Sequence, residues 1–385
     1  MKIIIINNLY NPYKRGGTEV VVEAAVQAFE KEGHEVKVIA TRPYFSNPKN
    51  PNTIFIKSLF HNLEKIPFAL RLFWHWWDMV DFLTAGRVKR ILKKEQPDLV
   101  ITHNLQGLSL LIPRVIQKSK IKNIYTLHDI QLLHPSGLMY FGREGLIETF
   151  HAKVYQKICA FLVACPDVVI APSKWLLDLY SEKGFFKNSK KQVIKNPIEF
   201  DGDNSLKELE TDGKKFVFLY IGQIEEHKGV GILSEAFSLI MNDYPNAKLK
   251  FIGDGTGLLS YQEKFKDIDN ICFLGRKSRE EVKETLENSN CLVVPSTCYE
   301  NSPSVVYESA LIGRAVIASR IGGITELVRE FGGILITPGD KEDLKQKLIY
   351  ALDNPLEIKQ IGEQAKSNFS YISKQEYVKR LREMV

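Results

Sequence analysis

At 385 residues the chain is long enough for two or three domains and too long for one small binding module. Hydrophobic residues make up 44% and charged residues 25%, the balance of a soluble globular protein rather than a disordered or fibrous one. Lys and Arg number 52 against 46 Asp and Glu, and the net charge of +6 favours anionic ligands or membrane surfaces without being the footprint of a nucleic-acid binder.

The opening run Lys2-Ile3-Ile4-Ile5-Ile6 stops at Asn7-Asn8, too short for a signal peptide or a span, and reads as a buried strand. A polar stretch containing Gly16-Gly17 follows, then the helical pattern Val20, Val21, Ala24, Ala25, Ala28, Phe29, which ends at Gly33. Short β-branched runs recur at Val36–Ile39, Leu99–Thr102, Asn123–Leu127 and Val168–Ile170, separated by helical segments. This alternation predicts a parallel sheet covered by helices. The polar, acidic stretch Asp201–Lys215 predicts a linker. Beyond it the alternation restarts, with strands at Phe216–Ile221, Lys248–Ile252, Ile271–Leu274, Cys291–Val294 and Ala315–Ala318 and a helix over Gly229–Met241. The last segment, Leu356–Val385, is helical and charged.

Two such sheets in tandem predict a ligand cleft between the carboxyl ends of their strands. The expected domains run over 1–198 and 199–365, with a C-terminal helix over 366–385 packing back on the first. The aromatic segment holding Phe60, Phe68, Leu70, Leu72, Phe73, Trp74, Trp76, Trp77 and Phe82 is mixed with Lys57, Lys65, Arg71 and Arg87. That composition fits either a core helix or a surface resting on a membrane. The five cysteines, Cys159, Cys165, Cys272, Cys291 and Cys298, have no Cys-x-x-Cys spacing, so neither a zinc site nor a disulfide framework is expected and a reducing cytoplasm fits.

The sharpest candidate site follows the strand Cys291–Val294. Ser302-Pro303 reads as a helix start, with Ser302 capping, Pro303 first in the helix, and the amides of Ser304 and Val305 turned toward an anion. Glu300 precedes this start, beside Asn301, and Glu308 lies inside the helix, so two carboxylates flank a phosphate-sized site. Carboxylates beside an anion need other partners, and sugar hydroxyls supply them. A second piece is Gly222-Gln223 through Lys228-Gly229, with Lys228 expected to open a helix. There its charge opposes the dipole by about 0.3–1 kcal/mol, a cost that a bound anion relieves. Gly16-Gly17 and Gly253-Asp254-Gly255 permit close backbone approach, though simple turns give the same pattern. His103-Asn104 and His128-Asp129 each end a strand on the ligand-binding edge. Asp201-Gly202-Asp203 and Asp267-Ile268-Asp269 read as solvated acids rather than a metal site.

Together these residues resemble the retaining glycosyltransferases of the GT-B fold, the group-one family often called family four. Glu300 to Glu308, continuing through Gly313 to Gly322-Gly323 and Glu326, is similar to that family's Glu-x7-Glu motif and succeeding turn. The resemblance implies two Rossmann-like domains facing a deep cleft, the one over 1–198 binding the acceptor and the one over 199–365 the donor, with a C-terminal helix crossing between them. It implies a nucleotide-sugar donor, with Glu300 on the sugar, Glu308 on the ribose, and Lys228, Ser304 and Val305 on the diphosphate. Gly16-Gly17 would close over the diphosphate and His128 would approach the transferred sugar. It also implies transfer with retained anomeric configuration and without metal or other cofactor, to a glycan or lipid-linked acceptor at the inner face of the membrane. Gln223 stands where the family often has Arg, and Pro303 where many relatives have Gly. A nucleotide-sugar epimerase or hydrolase, and a noncatalytic nucleotide-sugar sensor, are the alternative readings of the same residues.

Overall fold

The computed structural model describes residues 1–14, 16–198, 215–369 and 372–384. The expected linker before Lys215, with its Asp201-Gly202-Asp203 pair, lies outside them. The chain forms two compact units, one of Met1–Leu138, Gly145–Glu199 and Ile372–Val385, the other of Met139–Glu144 and Phe200–Tyr371.

The first unit runs β1 (Lys2–Ile6), α1 (Gly17–Lys31), β2 (Glu35–Arg42), β3 (Thr53–Lys57), α2 (Phe68–Met79), α3 (Phe82–Glu95), β4 (Leu99–Thr102), α4 (Ile112–Lys118), β5 (Lys122–Thr126), α5 (Phe150–Val163), β6 (Val168–Ala171), α6 (Lys174–Glu182) and β7 (Lys190–Val193). Its strands form one sheet in the order β3-β2-β1-β4-β5-β6-β7, and every pairing is parallel. Ile3 and Ile5 project to one face and Ile4 and Ile6 to the other, and all four are wholly buried. Burial on both faces is why the strand reads as an unbroken apolar run rather than an alternating one. On one face Val22, Ala25 and Phe29 of α1 close the core. The full burial of Phe29 contributes about 1.5–3 kcal/mol.

The second unit runs β8 (Phe216–Ile221), α7 (Val230–Ser238), β9 (Ala247–Ile252), α8 (Leu258–Lys264), β10 (Ile271–Phe273), α9 (Arg279–Glu287), β11 (Cys291–Val294), α10 (Ser304–Ile312), β12 (Ala315–Ser319), α11 (Gly322–Phe331), β13 (Ile334–Ile336), α12 (Lys341–Asp353) and α13 (Pro355–Asn368). Its parallel sheet has the order β10-β9-β8-β11-β12-β13. Phe218, Phe251, Val293 and Ile317 of the strands pack with Leu233 and Phe237 of α7 and Leu348 of α12.

The C-terminal segment is not one helix. It breaks after α13, which belongs to the second unit, and α14 (Lys374–Arg382) belongs to the first, where Tyr377, Val378 and Leu381 join the core beside α1. A second crossing of the chain, unannounced in the sequence, brings Met139–Glu144 into the second unit. There Tyr140 bridges Cys298, the Phe141 amide donates to the Thr297 carbonyl (2.9 Å), and the Tyr299 amide donates to the Met139 carbonyl (2.8 Å).

Candidate active site

In each sheet the strand order reverses at one point, between β1 and β4 in the first unit and between β8 and β11 in the second. Loops leaving the carboxyl ends of strands diverge at such a point and leave a crevice. Gly16-Gly17 and His103 follow β1 and β4 at the first of these points, and Gly222, Lys228 and Glu300 to Val305 follow β8 and β11 at the second, whereas His128 follows β5 and Gly253 follows β9.

In the second unit the loop after β8 carries a short 3-10 turn, Glu226–Lys228, and Gly229 joins it to α7. Lys228 therefore ends a turn instead of opening a helix, and the expected clash with a helix dipole does not arise. The loop after the neighbouring strand β11 carries Glu300. Lys228 Nζ and Glu300 Oε2 lie 3.1 Å apart, with 21% and 17% of their side chains exposed. Burial by itself would depress the Lys228 ammonium, but Glu300 outweighs it and holds the group above its ordinary value. The cation thus stays charged in a half-buried site.

The two loops are fastened together. The Thr297 amide and hydroxyl both donate to the His227 carbonyl, at 3.0 and 3.1 Å. Gly229 has φ +76°, and a Cβ there would sit 2.0 Å from the Pro295 carbonyl oxygen, so only glycine permits the approach. Ser296 donates its hydroxyl to Glu300 Oε1, and the Glu300 carbonyl accepts from the Gly323 amide (2.9 Å) at the start of α11. Glu300 is therefore fixed from three sides. Sequence reasoning passed over Thr297 and Ser296, whose roles depend on partners distant in sequence or on the side chain's direction.

Beside this pair α10 begins, though not as expected. Pro303 is the N-cap, with ψ 124°, and makes no side-chain cap; Ser304 is the first helical residue. Ser302 does not cap the helix, because its hydroxyl is engaged with the Tyr307 hydroxyl at 2.6 Å. The Ser304 and Val305 amides still belong to the first turn, where helix amides have no intrahelical acceptor and the dipole favours an anion. Glu308 stands just over one turn inside the helix, and burial raises its carboxyl, opposed by the Ser304 hydroxyl and by Arg279. Asn301 follows Glu300 in the loop, half-buried.

Gly222 and Gly253 have a structural explanation. Gly253 has φ +144°, and a Cβ there would meet the Gly222 carbonyl oxygen at 1.7 Å, so the ends of β8 and β9 lie backbone against backbone. The Gly222 amide donates to the Ile252 carbonyl at 3.0 Å, and the Gln223 carbonyl accepts from the Tyr220 hydroxyl at 2.6 Å. The Gln223 side chain is exposed.

In the first unit Gly16 caps α1 and Gly17 is its first residue. A side chain at Gly17 would meet nothing within 4 Å, so packing does not require glycine there. The Gly16 amide donates to Glu19 Oε2 at 2.7 Å, and Glu19 is itself buried, a polar residue that sequence reasoning missed. His103 and His128, treated singly in the sequence, form a pair. His103 Nδ1 and His128 Nε2 lie 2.8 Å apart and the rings stack at 5.1 Å. Burial pushes His128 down to about 4 and His103 well below its ordinary value, so both are neutral at pH 7 and share one proton in that bond. His103 Nε2 is buried without a partner among the described residues. An orphaned acceptor costs less than an orphaned N–H, which favours the tautomer with His103 Nδ1 donating.

The aromatic segment divides. Phe60 and Trp74 are buried beside Leu9, whereas Leu70, Phe73, Trp76, Trp77 and Phe82 are exposed; the side chains of Phe68 and Leu72 lie outside the described ones. Among the described residues no helix is long and apolar enough to cross a membrane, and no three His, Cys, Asp or Glu side chains are grouped to hold a metal ion.

Residues 15–201 match the family model described as Glycosyltransferase Family 4, and residues 201–368 match the one described as Glycosyl transferases group 1. An uncharacterised 42.6 kDa protein in the cps region of Klebsiella pneumoniae is 28% identical over 97% of this chain and 98% of its own length. A putative teichuronic acid biosynthesis glycosyltransferase of Bacillus subtilis is 24% identical over 90% of this chain and 88% of its own. Among solved structures, Anabaena Alr3699/HepE superposes with a TM-score of 0.73 at 18% identity, covering 100% of this chain and 99% of that one, a likeness of fold. The two matched models run end to end over both units, and the chain belongs to the group 1, family 4 glycosyltransferases of the GT-B fold.

Proposed function

We propose that this glycosyltransferase moves a hexosyl group from a nucleotide-diphosphate sugar to a glycan or lipid-linked acceptor, with retention and without a metal. One observation carries the reading: Lys228 and Glu300, fixed by the Thr297 clamp, stand with the amide end of α10 at the switch point of one sheet. The Lys228 ammonium and the Ser304 and Val305 amides would take the diphosphate. Glu300 would take hydroxyls of the transferred sugar and Glu308 those of the ribose. That a neighbour in fold, Alr3699/HepE, has been seen in complex with UDP and with UDP-glucose supports a donor of this class.

As the anomeric carbon–oxygen bond breaks, its electron pair passes to the departing phosphate oxygen, where negative charge grows. A fixed cation and helix amides stabilise that charge more in the transition state than in the ground state. The acceptor oxygen bonds to the same face of the anomeric carbon, and its proton passes to the phosphate oxygen. Retention follows without a protein nucleophile.

The acceptor would be met at the inner face of a membrane, a reading supported by the exposed Phe73, Trp76, Trp77 and Phe82 of the first unit. Polysaccharide biosynthesis is the corresponding role, in keeping with the relative in the cps region and the putative teichuronic acid enzyme. The test is a thermal-shift screen of nucleoside diphosphates and nucleotide sugars, followed by NMR of the product. A stabilising donor and a glycoside of unchanged anomeric configuration are expected. An inverted product, or free or epimerised sugar with no transfer to any acceptor, would contradict the reading.

A further inference from the structure

The edge of the first sheet holds a cavity that the donor machinery does not use. Between β3 and α3 lies a groove of about 570 Å³ whose polar lining is Arg42, Lys57, Arg87, Arg90 and Lys94, with no carboxylate. Arg87, Arg90, Ile91 and Lys94 fall at i, i+3, i+4 and i+7, one face of α3, while Val88 and Leu92 bury the other. Arg42 and Lys57 are register partners at the carboxyl ends of β2 and β3. None of the five is ion-paired among the described residues, and the Arg42 guanidinium donates only to the Ser46 carbonyl. Like charges gathered on one face repel, and an anion between them relieves the repulsion.

The groove floor is apolar, formed in part by Phe55 and Ile91, so its ligand carries an apolar part as well as charge. Leu83 continues the same face of α3 four residues before Arg87, and is 56% exposed. Next to it Phe82 meets Trp77 at 5.7 Å between ring centroids. Trp77 belongs to the exposed band of α2 that includes Phe73 and Trp76. An exposed aromatic band therefore leads directly into a cationic groove. A small soluble anion would satisfy the cations and leave the rings in water. A bilayer satisfies both, since Trp and Phe settle at headgroup depth beside Lys and Arg.

We propose that the β3–α3 groove binds the phosphate headgroups of anionic bilayer lipids while the α2 band rests in the interface. This deepens the membrane-surface reading above and rests on it. The experiment is flotation of the full chain with vesicles of phosphatidylcholine alone or of phosphatidylcholine with phosphatidylglycerol, beside the variant Arg87→Gln/Arg90→Gln/Lys94→Gln. The wild type should float with the anionic vesicles and be released by salt. At roughly five-fold per cation, the variant should bind them about 10²-fold more weakly. The variant's thermal response to nucleoside diphosphates and its turnover on a soluble acceptor should match the wild type's. Equal capture by both vesicles, or equal capture of variant and wild type, would overturn the proposal. So would binding of a soluble acidic polysaccharide in the groove with no vesicle capture. Failure of the glycosyltransferase mechanism would appear separately, as absent transfer to the soluble acceptor by protein that still floats.

Discussion

Lys228 and Glu300 are 72 positions apart (300 − 228), yet each depends on the other. A half-buried ammonium without its carboxylate would be driven toward neutrality, and a carboxylate without the ammonium would repel a diphosphate. Glu300→Gln separates structure from chemistry, because the amide oxygen can still accept from Lys228 and the amide NH2 can donate to the Ser296 hydroxyl while the charge is gone. Transfer is expected to fall by about 10²-fold, the scale of one lost transition-state contact, with the thermal midpoint nearly unchanged. Wild-type transfer rates would remove Glu300 from the sugar site. The His103–His128 pair makes a different prediction. Both rings are held below the ordinary value of 6.5 by burial, so the unfolded chain binds their protons first as pH falls. The stability they contribute is complete above about pH 6.5 and is lost as pH falls below it, for His128 down to about 4. Urea midpoints measured across this window should fall less steeply for His103→Gln than for wild type; an equal slope would contradict the depressed titration of His103.

At the scale of elements, the buried strands were legible because a parallel sheet covered on both faces demands unbroken apolar runs, as in Ile3–Ile6 and Cys291–Val294. The strands left out are of another kind. β3 and β7 sit at the two edges of the first sheet and the three-residue β13 at one edge of the second, and β7, Lys-Lys-Gln-Val, buries almost nothing. The start of α10 was placed one residue early because Ser before Pro is a strong capping signal, and only the Ser302–Tyr307 contact shows the hydroxyl committed elsewhere. Lys228 was misplaced for a related reason, since the αL conformation of Gly229, which ends one turn and starts the next, leaves no trace beyond the glycine. Where β8 and β9 end, the close approach of Gly253 to Gly222 leaves no room for a side chain. Gly253→Ala is expected to destabilise the second unit by several kcal/mol, combining a positive φ with a backbone collision. Its denaturation midpoint should drop accordingly, and a wild-type midpoint would show that this junction yields.

At the scale of the molecule, the doubling of the α/β pattern and the Glu300-to-Glu308 run made the family readable before any contact was known, because both follow from local sequence. What joins distant stretches was not readable. The pairing of Met139–Glu144 with the Thr297–Tyr299 loop and the ion pair at the β8–β11 switch point depend on contacts between stretches far apart in sequence, which periodicity does not encode. In the proposed mechanism a cation fixed at that switch point stabilises the departing diphosphate. Its most direct test is the turnover of Lys228→Ala with a donor identified by thermal shift, at saturating donor and acceptor. A fall in kcat of about 10²–10³ is expected, with a smaller change in donor KM, as for loss of an oxyanion-stabilising donor. An unchanged kcat in a folded variant that still binds nucleoside diphosphate would contradict it.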